Sequence, residues 1–372
     1  MKTTKKQYTR KEFMKNAGGA FLLAGGTMAG IGLPFGSKAE ALADSTGKQH
    51  HHLPEFQGPV LERVAADPTS VPAPIKRSKP KTHHLTLTST EVVGHIKDGV
   101  DFRYLTFEGQ VPGPLLRVRQ GDTIYLTHKA SPTNIMVHNI DLHAVYGPEG
   151  GGMATYCAPG QSKTIKFKAM YPGAFMYHCA VPQVAYHISA GMYGMILVEP
   201  EDGLPAVDHE FYLGQNEIYT QEITANVEPS ANDLSFDFER MMREDPTYVL
   251  LNGEQYALTE GRFGAMKVKR GETARIFFVN GGPNLTSSFH PIGNVWTKVW
   301  REGAITSQPE QYVQTCTIPP GSCAILEMEF PVPGMINLVD HALSRSTQKG
   351  MKGQIMVEGE PNLDIFDPNP KQ

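Results

Sequence analysis

Residues 191–201 read GMYGMILVEPE, and residues 350–360 read GMKGQIMVEGE. A Gly-Met turn followed by a short apolar run is therefore written twice in one chain. Two further segments recur in the same order. LRVRQGDTIYL at 116–126 returns as MKVKRGETARIFF at 266–278, and APGQSKTIKFKAMYPG at 158–173 returns as PPGSCAILEMEFPVPG at 319–334. Short alternating runs punctuated by Gly and Pro turns are the mark of strands in a sandwich rather than of helices. The expected fold class is all-β, two tandem Greek-key β-sandwich domains joined near residues 202–208.

The first copy of the Gly-Met turn closes a segment with unusual chemistry, MYHCAVPQVAYHISAGM at 176–192. It supplies a thiol at Cys179, an imidazole at His187 and a thioether at Met192. One thiolate, two imidazoles and a weak axial thioether form the ligand set of an electron-transfer copper site. The second imidazole has a source in His138, within VHNIDLH at 137–143. His178 directly precedes Cys179, and adjacent side chains on a strand point to opposite faces. The odd offset from His138 to His143 favours opposite faces in the same way. His143 and His178 are thus free to build a second site, with His341 in LVDHALSRS as a third imidazole. Three histidines and an open position describe a catalytic metal site.

From about Asp98 to about Glu360 the chain resembles the copper-containing nitrite reductases. The motifs that carry the resemblance are HNIDLH at 138–143, YHCA at 177–180, HISAGM at 187–192, SFHPIG at 288–293 and VDH at 339–341. HCAVP and GPNLTSSFH are similar to the neisserial subgroup, although no lipobox cysteine is present and a lipid anchor is not expected. The resemblance implies a pair of cupredoxin domains. It implies a type-1 copper on His138, Cys179, His187 and Met192, and a type-2 copper on His143, His178 and His341. It further implies Asp141 and His290 as the catalytic pair, and Ile292 as the apolar cap of the nitrite pocket. The implied activity is one-electron reduction of nitrite to nitric oxide and water. The implied partners are a small redox donor, a cupredoxin or c-type cytochrome, and two further copies of the chain in a homotrimer with the type-2 copper at the subunit interface.

Composition and charge fit an exported enzyme. With 372 residues the chain exceeds usual one-domain length, and 34 basic against 38 acidic residues leave no nucleic-acid footprint. Residues 1–43 read as a twin-arginine-like signal, with Arg10-Lys11 in place of the arginine pair and Ala41-Leu42-Ala43 as a cleavage site, so a periplasmic location is expected. Residues 44–80, with His50, His51, His52 and many prolines, read as a flexible linker. The expected domains are 81–201 and 202–360, followed by a tail at 361–372. FDFERMMRE at 236–244 reads as a surface helical turn. Cys316 and Cys323 flank TIPPGS and are candidates for a cross-turn disulfide, and Cys157 reads as a small buried residue.

Aligning the repeats places Asp340 where the first copy has Cys179, Ser346 where it has His187, and Met351 where it has Met192. The second copy therefore lacks a copper thiolate, and His290 falls near the place of His138. Two other functions use related parts. A multicopper oxidase needs His-x-His pairs and a His-Cys-His bridge, whereas Cys179 is followed by Ala180 and the sole His-x-His lies in His50–His52. A blue-copper electron carrier needs one domain and has no use for Asp141, His143, His178 and His290.

Overall fold

The repeated segments form matching strands in the structure, a computed structural model that describes residues 56–221 and 236–370. The leader and His50–His52 lie outside the described residues. The first copy contains β1 (Thr82–Lys97), β2 (Val100–Phe107), β3 (Leu116–Arg119), β4 (Thr123–Ala130), β5 (Asp141–Leu142), β6 (Ser162–Lys168), β7 (Gly173–His178) and β8 (Tyr193–Glu199). They make two sheets, β2-β1-β4-β6 and β3-β8-β7-β5. The second copy contains β9 (His209–Ile218), β10 (Tyr248–Leu251), β11 (Met266–Lys269), β12 (Thr273–Gly282), β13 (Ser287–Ile292) and β14 (Trp296–Trp300). It continues with β15 (Glu310–Val313), β16 (Cys316–Ile318), β17 (Ser322–Glu329), β18 (Gly334–Asp340) and β19 (Lys352–Glu358). Its sheets run β10-β9-β12-β17-β14-β15 and β11-β19-β18-β13-β16. The segment read as a surface helical turn forms a short helix, Phe238–Met242, capped by Asp237, whose side chain accepts from the amide of Arg240.

Alternation decides how the two copies meet. On β12, Ile276 and Phe278 point into the core of the second sandwich, while Phe277 and Val279 point into the core of the first. Strand β17 does the same, sending Leu326 one way and Ile325 the other. The central strands β12 and β17 of one sheet of the second copy are therefore buried on both faces. That fits the continuous apolar stretches IFFV in β12 and AIL in β17.

The proline-rich stretch expected to be linker is, from Phe56 onward, a strap held by hydrogen bonds, with Val64, Ala65 and Ala66 buried. Val64 and Ala65 donate their amides to Glu254 Oε1 at 2.6 and 2.9 Å, and Val60 and Ala65 form bridges with Val93 and Val111. Composition misled here because side chains elsewhere satisfy the extended backbone: Asn252 Nδ2 donates to the carbonyl of Ala66 at 2.9 Å. Cys316 and Cys323 are free thiols, as are the other two cysteines. The turn between them carries the chain from one sheet to the other, so they are not cross-strand neighbours. Cys157 is buried, as read from the sequence.

An ion network also joins the copies. Arg117 on β3 contacts Glu199 and Glu210, Arg275 on β12 contacts Glu210 and Glu327, and Lys298 contacts Glu327. Arg117 and Glu199 side chains are each 1% exposed. Removing one member leaves uncompensated buried charge, so Arg117→Ala should cost about 3–5 kcal/mol of stability. Denaturant unfolding checks this, and a loss below about 1 kcal/mol contradicts a structural role for the network.

Candidate metal centre

Cys179 follows the last residue of β7 and lies at the bottom of a buried cup, 0% exposed. Its Sγ is 3.8 Å from His138 Nδ1 and 3.5 Å from His187 Nδ1. His187 lies on a short helix, Val184–Ser189, and Met192 ends the turn after it. The turn needs glycine at Gly191, where φ is +118° and a Cβ would stand 2.5 Å from Val111 Cγ2. Met192 is fully buried, and its carbonyl accepts the Cys179 amide at 3.1 Å. Burial pushes the thiol up to about 11. Burial, reinforced by His138, pulls His187 down to about 3. A thiol that resists ionisation beside a neutral imidazole suits a cation that binds by displacing the proton.

The other face is built by register. Asp141 on β5 stands directly opposite His178 on β7, so both side chains share one face, and His143 two residues on joins them. His143 Nε2 lies 3.2 Å from His178 Nε2, and Asp141 Oδ2 lies 3.8 Å from the latter. His178 Nδ1 donates to the Cys179 carbonyl at 3.0 Å, which fixes its tautomer and leaves Nε2 free as a ligand atom. Lost hydration, with the nearby His178, holds His143 below the usual imidazole range. Gly150 tucks beneath this face, where a Cβ would stand 2.0 Å from Asp141 Oδ1. Among the described residues these are the two metal-competent clusters, His138-Cys179-His187 and Asp141-His143-His178. Adjacent residues His178 and Cys179 divide between them.

His341, His290 and Ile292 belong to neither cluster. They lie together on the second copy, with the His290 and His341 ring centroids 5.1 Å apart. His290 Nδ1 donates to the Gln314 carbonyl at 2.7 Å, leaving Nε2 unengaged by that bond. Ile292 shares the strand face of His290 and is 43% exposed, and His341 is also exposed.

Register revises one alignment made from the sequence. His178 pairs with Tyr193 and Asp141, and Val339 pairs with Lys352 and His290. His290 therefore takes the place of Asp141, whereas Ser287 takes the place of His138. Linear spacing could not see this because the loops before β5 and β13 differ in length. The cup that holds Cys179 in the first copy is filled in the second by hydrogen bonds. Asp340 Oδ2 accepts from Arg345 Nη1 at 2.9 Å, Ser346 Oγ donates to the Asp340 carbonyl at 2.8 Å, and Ser287 Oγ donates to Gln215 Oε1 at 2.7 Å. Sequence reasoning missed Asn139, whose Oδ1 accepts the Ala180 amide at 2.6 Å, and the role of Gln314. Backbone and amide contacts of this kind leave no spacing signal.

Comparisons with known proteins return copper proteins. A family model described as multicopper oxidase matches residues 89–203. The copper-containing nitrite reductase of Neisseria meningitidis serogroup B is 42% identical over 314 residues, 84% of this chain and 78% of that one. The copper-containing nitrite reductase of Alcaligenes faecalis is 31% identical, spanning 93% of this chain and 95% of that one. Among solved structures, the copper nitrite reductase from Nitrosomonas europaea has a TM-score of 0.66 at 32% identity, covering 76% of this chain and 95% of that chain.

Proposed function

The chain belongs to the copper-containing nitrite reductases, and from that premise we propose that each chain holds one type-1 and one type-2 copper and reduces nitrite to nitric oxide. The reaction takes one electron and two protons and releases one water. We assign the type-1 copper to His138, Cys179, His187 and Met192, and the type-2 copper to His143, His178 and His341. The donor set fits: the Cys179 sulfur beside two imidazole Nδ1 atoms, with Met192 buried at the end of the same segment, and on the other face the imidazoles of His143 and His178 beside Asp141. Copper would supply single-electron exchange in the cup and polarisation of nitrite on the imidazole face.

The observation that carries this reading is the division of two adjacent residues between two clusters. The peptide joining Cys179 to His178 is the shortest covalent path from one ligand set to the other. Asp141 lies 3.8 Å from the His178 ligand atom and is placed to hold a proton beside a bound anion. His290, its tautomer fixed through Nδ1, has Nε2 available to donate a second proton. Ile292 would close the pocket with an apolar side chain. The oxidase alternative is less supported, because the sequence has no His-Cys-His bridge and no His-x-His outside His50–His52.

His341 completes the second site only if it comes from another copy of the chain. Two features support a head-to-tail homotrimer. The two half-sites occupy equivalent faces of the repeated domains, which lets a heterologous contact close into a ring. Apolar side chains also stand exposed close in sequence to each half-site: Tyr146 and Met153 after His143, Ile292 and Val295 after His290, and Leu343 after His341. A small cupredoxin or c-type cytochrome would deliver the electron at the Cys179 site. Residues 1–43 would direct export to the periplasm, and no described helix is long and apolar enough to cross a membrane.

Mixing subunits tests the assembly. His143→Ala and His341→Ala trimers should each lack type-2 copper and activity. Trimers reconstituted from both chains should recover part of the activity, because some interfaces pair an intact His143-His178 face with an intact His341. No recovery in demonstrably mixed trimers contradicts the shared site.

A further inference from the structure

Strand β1 carries an acid where its alternation demands an apolar residue. Leu87, Ser89 and Glu91 share one inward face, and Glu91 is 0% exposed. Its Oε1 lies 3.2 Å from His138 Nε2, and also accepts the amides of Ile135 at 3.0 Å and Met136 at 2.8 Å. Its Oε2 is buried with no hydrogen-bond partner. The amide of Glu91 in turn donates to Asn134 Oδ1 at 2.9 Å, fixing the strand beneath the ring. Oε1 thus gathers two backbone amides and faces a ring nitrogen, so the side chain serves there as a hydrogen-bond acceptor. A buried carboxylate left half satisfied is costly unless a nearby positive charge compensates it. The side chain set against Oε1 is the imidazole of His138, whose other nitrogen faces Cys179, where a bound copper would supply that positive charge.

We propose that Glu91 is a positioning residue for the cysteine copper, fixing the His138 ring with Nδ1 toward Cys179 and lowering the reduction potential of the bound metal. The inference rests on the type-1 assignment above. A carboxylate that holds the outer N–H of a ligating histidine fixes the ring and raises its basicity. Negative charge so close stabilises Cu(II) over Cu(I), so its loss must raise the potential. Electron transfer from a donor to this site would then be tuned by a residue that touches neither metal nor donor.

The test uses the full-length copper-loaded protein and spectroelectrochemical titration of the visible band. Glu91→Gln keeps an acceptor oxygen and the side-chain shape but removes the charge. It should retain the band and shift the relative Cu(I)/Cu(II) affinity at least tenfold toward Cu(I), a rise of about 59 mV for one electron. Glu91→Asp, which keeps the charge, should stay closer to the unsubstituted potential. A role in packing alone would lower copper occupancy without this ordered shift. A Glu91→Gln potential equal to that of the unsubstituted protein overturns the proposal. Should that variant fail to fold, NMR of histidine-labelled, unsubstituted Cu(I) protein decides. A proton on His138 Nε2, protected from exchange, is expected, and its absence overturns the proposal. Absence of the visible band from the unsubstituted protein would instead overturn the type-1 assignment itself.

Discussion

Replacing Cys179 by alanine is expected to abolish the intense visible absorption of the copper-loaded protein and reduce nitrite turnover with a protein donor to background. The band requires sulfur-to-copper charge transfer, and the described residues place no other thiol in that cluster. Two imidazoles and a thioether remain, but without the thiolate they lose the charge that selects copper in so dry a cup. The second site shares no ligand with the first, so copper content should fall from two per chain toward one. Metal analysis and absorption spectroscopy on the same sample check both parts. An intense band that survives the substitution contradicts the assignment of Cys179.

Proton delivery gives the next largest effect. Asp141→Asn retains the size of the carboxyl but cannot donate a proton as it does, and His290→Asn removes the imidazole. Each should lower nitrite turnover by roughly 10²- to 10⁴-fold, the usual loss for a positioned acid-base group, with both coppers retained. The pH profile separates this from structural damage. Turnover that consumes two protons should rise toward acid pH, and loss of a donor should flatten that rise. Damage to the fold would lower activity evenly and reduce copper occupancy. The Asp141 variant leaves the His178 Nδ1 bond to the Cys179 carbonyl in place, so ligand orientation should persist. Near-normal turnover with an unchanged profile in both variants contradicts the proposed roles.

What could be read from the sequence follows from how locally each feature is encoded. Cys179, His187 and Met192 lie within one segment, and His178 reaches the opposite side by strand alternation alone, so the two clusters were legible before any coordinates. The double sandwich was legible for the same reason, since each repeat carries its own turns and its own alternation. Glu91 was not, because its meaning depends on β1 passing beneath His138, residues far apart in the chain. Its one local trace is an acid at an inward position of an alternating strand. The true counterpart of His290 needed hydrogen-bond register, which spacing does not carry. The hydrogen-bonded strap from Phe56 to Pro80 was hidden by its composition, because prolines favour extended backbone whether or not other side chains hold it.

That one peptide bond serves two copper classes is tested most directly by electron paramagnetic resonance of the copper-loaded wild-type protein. Two superimposed Cu(II) signals of equal intensity are predicted. One should show the narrow hyperfine splitting of a thiolate-bound site and the other the wide splitting of a site with nitrogen ligands. A single class of signal, of either kind, at full copper loading would contradict it.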